Sequence, residues 1–323
     1  MEEGSITLRT KPGAALRISF HIPPSPEISR PLSNVLVVFL NGLVLSRRAW
    51  SDTLTHLMEN EGTSDIPVPA LLTYDRYGQG DSDPDPTDNP DSFPYGHEVN
   101  AVVEDLHQLL TQFCASSFST ELASTRLVFV CNSIGCALAR LYAASYPCSV
   151  EAFLFLDSMM ANTDFVSLFP DPDSPEFDHQ KPLPGNVTAE DLRYTRKQFY
   201  EFFHPTAPNA EHLDRRRLAK VLPHADKPIL PSGPGDRPPK LVVVGHDWDE
   251  FAEQCEKGSM KVPEAVINAY MNPAWADYNR GLNRLVDNRE REVKIAKGCG
   301  HFIQKDDPGY TAVEIRNLLR GLP

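Results

Sequence analysis

Five runs of nearly unbroken apolar residues, separated by helix-compatible segments, set narrow limits on this fold. They are Val35-Leu-Val-Val-Phe-Leu40, Leu71-Leu-Thr-Tyr74, Leu127-Val-Phe-Val-Cys131, Ala152-Phe-Leu-Phe-Leu156 and Leu241-Val-Val-Val244, with a shorter sixth at Val293-Lys-Ile-Ala296. A strand apolar on both faces must be covered on both faces, which is the pattern of a parallel sheet between helical layers. Helices are expected over 48–59, 97–113, 136–146 and 310–320. Ile6–Thr10 and Ala15–Ile22 alternate apolar and polar residues, as the half-exposed strands of an opening hairpin do, and the proline-rich stretch Pro23–Pro31 links them to the sheet. The expected fold class is α/β, with a doubly wound, mostly parallel central sheet.

The alternation breaks after Leu156. From about Met159 to Pro239 the chain is rich in proline, aromatics and charge, so we divide it into a first core part (1–158), a helical lid insertion (159–239) and a second core part (240–323). Inside the insertion, Thr188-Ala-Glu-Asp191 reads as a helix start, with a capping hydroxyl and acids near the positive end of the dipole, followed by Leu192–Phe203. Its Phe199, Tyr200, Phe202 and Phe203 either roof an apolar pocket or bind the lid to the core. A second aromatic group, Tyr270, Trp275 and Tyr278, falls in the long link between the last two strands.

The chemistry centres on Ser133. The strand Arg126–Asn132 stops at this serine and a helix-compatible stretch begins just beyond it. A tight strand-to-helix turn holds a serine hydroxyl up for attack, and it needs small neighbours because the helix crosses close to the strand. The usual pattern is G-x-S-x-G; here Cys131 stands at the first small position and Gly135 at the second. Upstream, the first buried strand runs into Asn41-Gly-Leu-Val44, where glycine allows a turn that presents the Leu43 amide, to be paired with that of Ile134, toward a developing oxyanion. Leu71–Tyr74 feeds the glycine-rich loop Asp75–Ser82, and the last strand leads to Gly298-Cys-Gly-His301.

These segments, in this order, resemble the α/β-hydrolase superfamily over about Leu36 to Leu319, with loops most like its single-domain esterases, lactonases and C–C hydrolases. The resemblance implies Ser133 as nucleophile, His301 as general base and the Leu43 and Ile134 amides as oxyanion hole. In that superfamily the triad acid most often follows the penultimate strand. The usual offset from Gly245 falls on Trp248, which cannot serve, and Asp247 and Asp249 flank it. The other known location is the end of the strand after the nucleophile helix, where Asp157 stands. We rank Asp157 first, Asp247 second and Asp249 third. Epoxide hydrolases and haloalkane dehalogenases of the superfamily carry an aspartate at the elbow, so Ser133 favours acyl over alkyl transfer.

The expected substrate is an uncharged, apolar ester or lactone of moderate size, because no basic cluster near the motifs would hold a carboxylate or phosphate. Cleavage of a C–C bond between carbonyls, thioester hydrolysis, cyclisation of a polyketide-like chain, and a catalytically silent ligand-binding role stay open. The chain carries no P-loop, dinucleotide fingerprint or H-E-x-x-H, so no cofactor and no metal are expected. A net charge of -13 argues against nucleic acid or an anionic membrane as partner, and no stretch approaches the ~18 apolar residues of a membrane span. Six cysteines without C-x-x-C pairing, and a start lacking a basic and apolar leader, give an expectation of reduced, buried thiols in the cytoplasm. These motifs do not specify an oligomeric state.

Overall fold

The computed structural model describes residues 1–23, 32–43, 45–59, 66–89, 91, 94–286 and 292–322. Most of the proline-rich linker, from residue 24 to residue 31, and Val44 of the expected oxyanion turn lie outside the described residues. Eight strands form the main sheet: β1 (Glu2–Thr7), β2 (Ala15–His21), β3 (Val35–Leu40), β4 (Ala70–Tyr74), β5 (Arg126–Asn132), β6 (Val150–Leu156), β7 (Lys240–His246) and β8 (Lys294–Ala296). Their order is β1-β2-β4-β3-β5-β6-β7-β8. β1 and β2 form the antiparallel hairpin, β2 runs antiparallel to β4, and the remaining pairs are parallel.

Parallel strands need crossovers, and helices supply them: α1 (Ser51–Glu59), α2 (Val99–Ser116), α3 (Ile134–Ser145), α4 (Ala189–Phe203), α5 (Trp248–Lys257) and α6 (Asn272–Leu282), with α7 (Pro308–Arg320) following the last strand. The two faces of the sheet carry separate cores. Alternate residues of β3 divide between them: Leu36, Val38 and Leu40 face the layer with α2 and α3, whereas Val35, Val37 and Phe39 face the layer with α1 and α7. All six are fully buried, which explains their unbroken apolar sequence.

Residues 159–239 connect β6 to β7 and include α4, whose start is fixed by a reciprocal capping box between Thr188 and Asp191. Phe199 of α4 is buried against Phe169, at 4.9 Å between ring centres, and Phe203 packs on Phe165. Tyr200 and Phe202 are 54% and 48% exposed, so neither is packed into the core as Phe199 is. Glu211 reaches the loop that follows β4, which brings the segment to the carboxyl ends of the parallel strands.

Candidate active site

In a parallel sheet, side chains that leave the carboxyl ends of neighbouring strands converge, and β3, β5 and β6 are neighbours here. Ser133 follows β5 with φ 55° and ψ −123°, a backbone shape that non-glycine residues adopt only when their surroundings impose it. What imposes it is close packing. A Cβ on Gly135 would run into the carbonyl oxygen of Leu40 at the end of β3. A Cβ on Gly42 would stand 3.1 Å from Asn132 Oδ1 and 3.3 Å from the Ser133 Cβ. Backbone therefore lies directly against the serine on the side where Leu43 follows. Ile134 opens α3, so its amide has no acceptor within the helix. Cys131, in place of the first glycine of the pattern, is fully buried, and burial with Cys136 alongside pushes its thiol well above its ordinary range, making it a packing group.

Asn132 ties three strand ends together. Its side-chain amide donates to the carbonyls of Leu156 and His301, both at 3.0 Å, and its oxygen accepts from Gln304 at 3.2 Å. The loop after β8 is thereby fastened beside the serine, and His301 turns its Nδ1 onto Asp157 Oδ2 at 2.6 Å. Among the described residues the Ser133 hydroxyl has no hydrogen-bond partner. In free enzymes this contact commonly tightens only when substrate is bound.

Asp157 ends β6, is fully buried, and has φ 43°. Its Oδ1 accepts from His246 Nδ1 at 2.8 Å and from the His246 amide at 3.3 Å. Burial alone would raise its carboxyl, but the His246 charge and hydrogen bonds from His246 and His301 hold it below the usual carboxylate range. Asp247 is elsewhere: it caps α5 by accepting from the Asp249 amide, accepts from the Gly298 amide at 3.2 Å, and pairs with Lys297. Asp249 lies in the first turn of α5, where an acid favours the helix dipole. Of the three sequence candidates, Asp157 alone meets His301.

The motif reading missed several residues that build the site. Arg76 is buried, paired with Glu211 at 2.7 and 2.8 Å, and donates to the carbonyls of Asn41 and Gly42 at 2.8 and 2.9 Å; Gln79 also donates to Gly42. These bonds fix the turn that carries the Leu43 amide. Trp275 donates to the Ser158 carbonyl and packs against His246 and His301, with ring centres 5.3 and 5.2 Å away. A cleft of about 830 Å³ is lined by Gly245, His246, Trp248 and Asn279, but by neither Ser133 nor His301. Asp85, Asp88 and His97 bring metal-ligand atoms within 4.8 Å, but the Lys11 ammonium already sits 2.5 Å from Asp85 Oδ2.

The sequence matches the alpha/beta hydrolase family over residues 37–314. The chain belongs to that family. Similar solved structures include a candidate lipase from Acinetobacter baumannii AYE (15% identity, 99% of this chain and 91% of that one, TM-score 0.55). A thermophilic esterase from Thermogutta terrifontis is similar at 15% identity, 99% and 98% coverage and TM-score 0.52. An epoxide hydrolase from Vigna radiata gives 13% identity, 99% and 97% coverage and TM-score 0.53. At such identities the likeness concerns the fold. No curated protein matches the sequence. Among the described residues no helix is long and apolar enough to cross a membrane, and all six cysteines are free.

Proposed function

We propose that this alpha/beta hydrolase is a serine hydrolase that cleaves an uncharged ester or lactone through an acyl-enzyme. The observation that carries this reading is the 2.6 Å contact between His301 Nδ1 and Asp157, on a loop fastened beside a serine in strained elbow geometry. With Nδ1–H committed to the carboxylate, the His301 Nε2 lone pair is free to take the Ser133 proton as Oγ attacks a carbonyl carbon. The Leu43 and Ile134 amides receive the developing oxyanion. His301 then protonates the leaving group, and a water activated by the same imidazole releases the acid. Structural neighbours include epoxide hydrolases, but a serine at the elbow favours acyl chemistry.

Residues 159–239 act in this reading as a lid, with Phe165, Phe169 and Phe199 forming an apolar cover and Trp275 meeting it beside His301. A cytoplasmic, reducing setting agrees with the free cysteines. The test is turnover of short and medium p-nitrophenyl esters and an aromatic macrolactone by wild type and Ser133→Ala, alongside labelling by a fluorophosphonate. Ser133→Ala is expected to lose about a thousandfold or more of turnover and all labelling. Equal turnover in the variant would refute the assignment.

A further inference from the structure

We propose that His246 is a positioning residue of this site: a second imidazole, permanently cationic, that clamps Asp157 from the side opposite His301 and keeps the triad acid ionised and aimed. The proposal rests on reading Ser133, His301 and Asp157 as a triad, and it goes beyond that reading by adding a charged partner that no motif announces.

The proton count follows from the neighbours of the ring. His246 is 3% exposed. Its Nδ1 faces Asp157 Oδ1 at 2.8 Å, and its Nε2 faces Asn272 Oδ1 at 3.0 Å. The Asn272 amide cannot be turned around without cost, because its nitrogen donates to the Trp248 carbonyl at 3.1 Å and to Asn268 Oδ1 at 2.7 Å. Turning it would set its oxygen against a carbonyl that has no hydrogen to give. Both ring nitrogens of His246 thus face acceptors, and only the imidazolium satisfies two acceptors at once. Burial would favour the neutral ring, yet Asp157 and the hydrogen bond from His246 to Asn272 hold its basicity above the ordinary histidine value.

The surroundings agree. Phe251 of α5 and Trp275 of α6 pack their rings at 4.3 and 5.3 Å from the imidazole and hold it in place between Asp157 and Asn272. The charged and titratable groups facing the pair are Asp157 at the end of β6, Asp247 after β7, whose charge Lys297 shares, and His301 after β8. Asn272 reaches the ring because the chain widens into a π-helical turn over Ile267–Met271 before α6, a device that redirects side chains at functional sites.

The consequence concerns the buried carboxylate. Shared between two imidazoles, Asp157 has the His246 cation to balance its charge and a hydrogen bond to hold His301 in place. Without His246, a fully buried carboxylate with one neutral partner takes up a proton at higher pH. The ionised form that orients His301 is present above the Asp157 titration and lost below it. Removing His246 therefore moves the acid limb of reactivity upward, by about one pH unit.

Two measurements test this. In the wild-type protein, ring-nitrogen NMR of labelled histidine is expected to show one imidazole that stays doubly protonated up to about pH 8, absent in His246→Gln. A neutral His246 at about pH 7 overturns the proposal, whether or not the protein turns over any ester. The pH profile of fluorophosphonate labelling is then compared for wild type, His246→Gln and Asn272→Leu. The expected result is a loss of about tenfold on the acid limb for His246→Gln that shrinks toward alkaline pH, with Asn272→Leu between it and wild type. A loss uniform with pH would mean a merely structural residue. If wild type itself reacts with no probe, the triad reading fails, and the NMR result still decides the charge of His246.

Discussion

The substitution Asp157→Asn isolates the role of the acid with little change in volume. Asp157 receives three donors: His246 Nδ1 and the His246 amide on Oδ1, and His301 Nδ1 on Oδ2. An asparagine has one oxygen, and it belongs on the side with two donors. Its nitrogen then faces His301 Nδ1, which must give up its proton and accept instead. That forces the His301 proton onto Nε2, toward the serine, where no lone pair remains to take the hydroxyl hydrogen. A tautomer trap of this kind costs about four orders of magnitude in kcat, or roughly 5 kcal/mol of transition-state stabilisation. Asp247→Asn should behave differently. An asparagine keeps one oxygen to cap α5 and loses only the bond from the Gly298 amide to the other oxygen, so turnover should stay within about twofold and stability within about 2 kcal/mol. The assay is kcat on the best ester of the panel for both variants and for Asp249→Asn, with urea unfolding to confirm folding. An Asp157→Asn enzyme keeping more than about a tenth of its activity, while Asp247→Asn lost it, would refute this assignment.

Glu211→Ala leaves the Arg76 guanidinium without its carboxylate in the interior; urea unfolding should show a loss of about 3–5 kcal/mol, and Glu211→Gln should recover part of it. Labelling by fluorophosphonate should slow in Glu211→Ala even where the protein is folded, since Arg76 also holds the Asn41 and Gly42 carbonyls. Gly135→Ala drives a methyl group into the Leu40 carbonyl and should cost on the order of 1–3 kcal/mol with near-complete loss of labelling. A stable, fully reactive Gly135→Ala protein would show that the crossing of α3 over β3 is looser than described.

The strands were legible because burial on both faces writes an apolar run directly into sequence: β3 is Val35–Leu40 in both readings. α4 was legible from its start: Thr188–Asp191 reads as a helix N-terminus, and Thr188 caps a helix that runs Ala189–Phe203. Ser133 and His301 were picked out because Gly135 follows the one and Gly298 and Gly300 precede the other. Arg76, Glu211, His246 and Asn272 were not, and Trp275 stood out only as one of an aromatic group. Arg76 and Glu211 are 135 positions apart, and Asp157 and His246 are 89 apart, so no local pattern records that they meet. The signal present for His246 was its place: it ends a strand as Asp157 does, and knowing that β6 and β7 are neighbours would have joined them.

On the proposed triad, that adjacency also accounts for Trp248 standing where the superfamily resemblance places the acid. β6 and β7 run parallel with Leu156 opposite Val244, and the Asp157 amide donates to the Val244 carbonyl at 2.7 Å. Residue 157 therefore stands beside the end of β7, and a carboxylate leaving either strand reaches the same point above the sheet. His301 approaches that point from the loop after β8, which pairs with β7. An acid on β6 must reach one strand further to meet it, past whatever β7 presents. Here β7 presents His246, and the imidazole fills the gap, gives the carboxylate a charged backing and turns its free oxygen toward His301. Moving the acid to β6 and placing a histidine at the end of β7 are, on this geometry, a single substitution of parts, so Asp157 and His246 should be tested as a pair. His246→Asp should fail while Asp157 remains, because two carboxylates would then share one buried site.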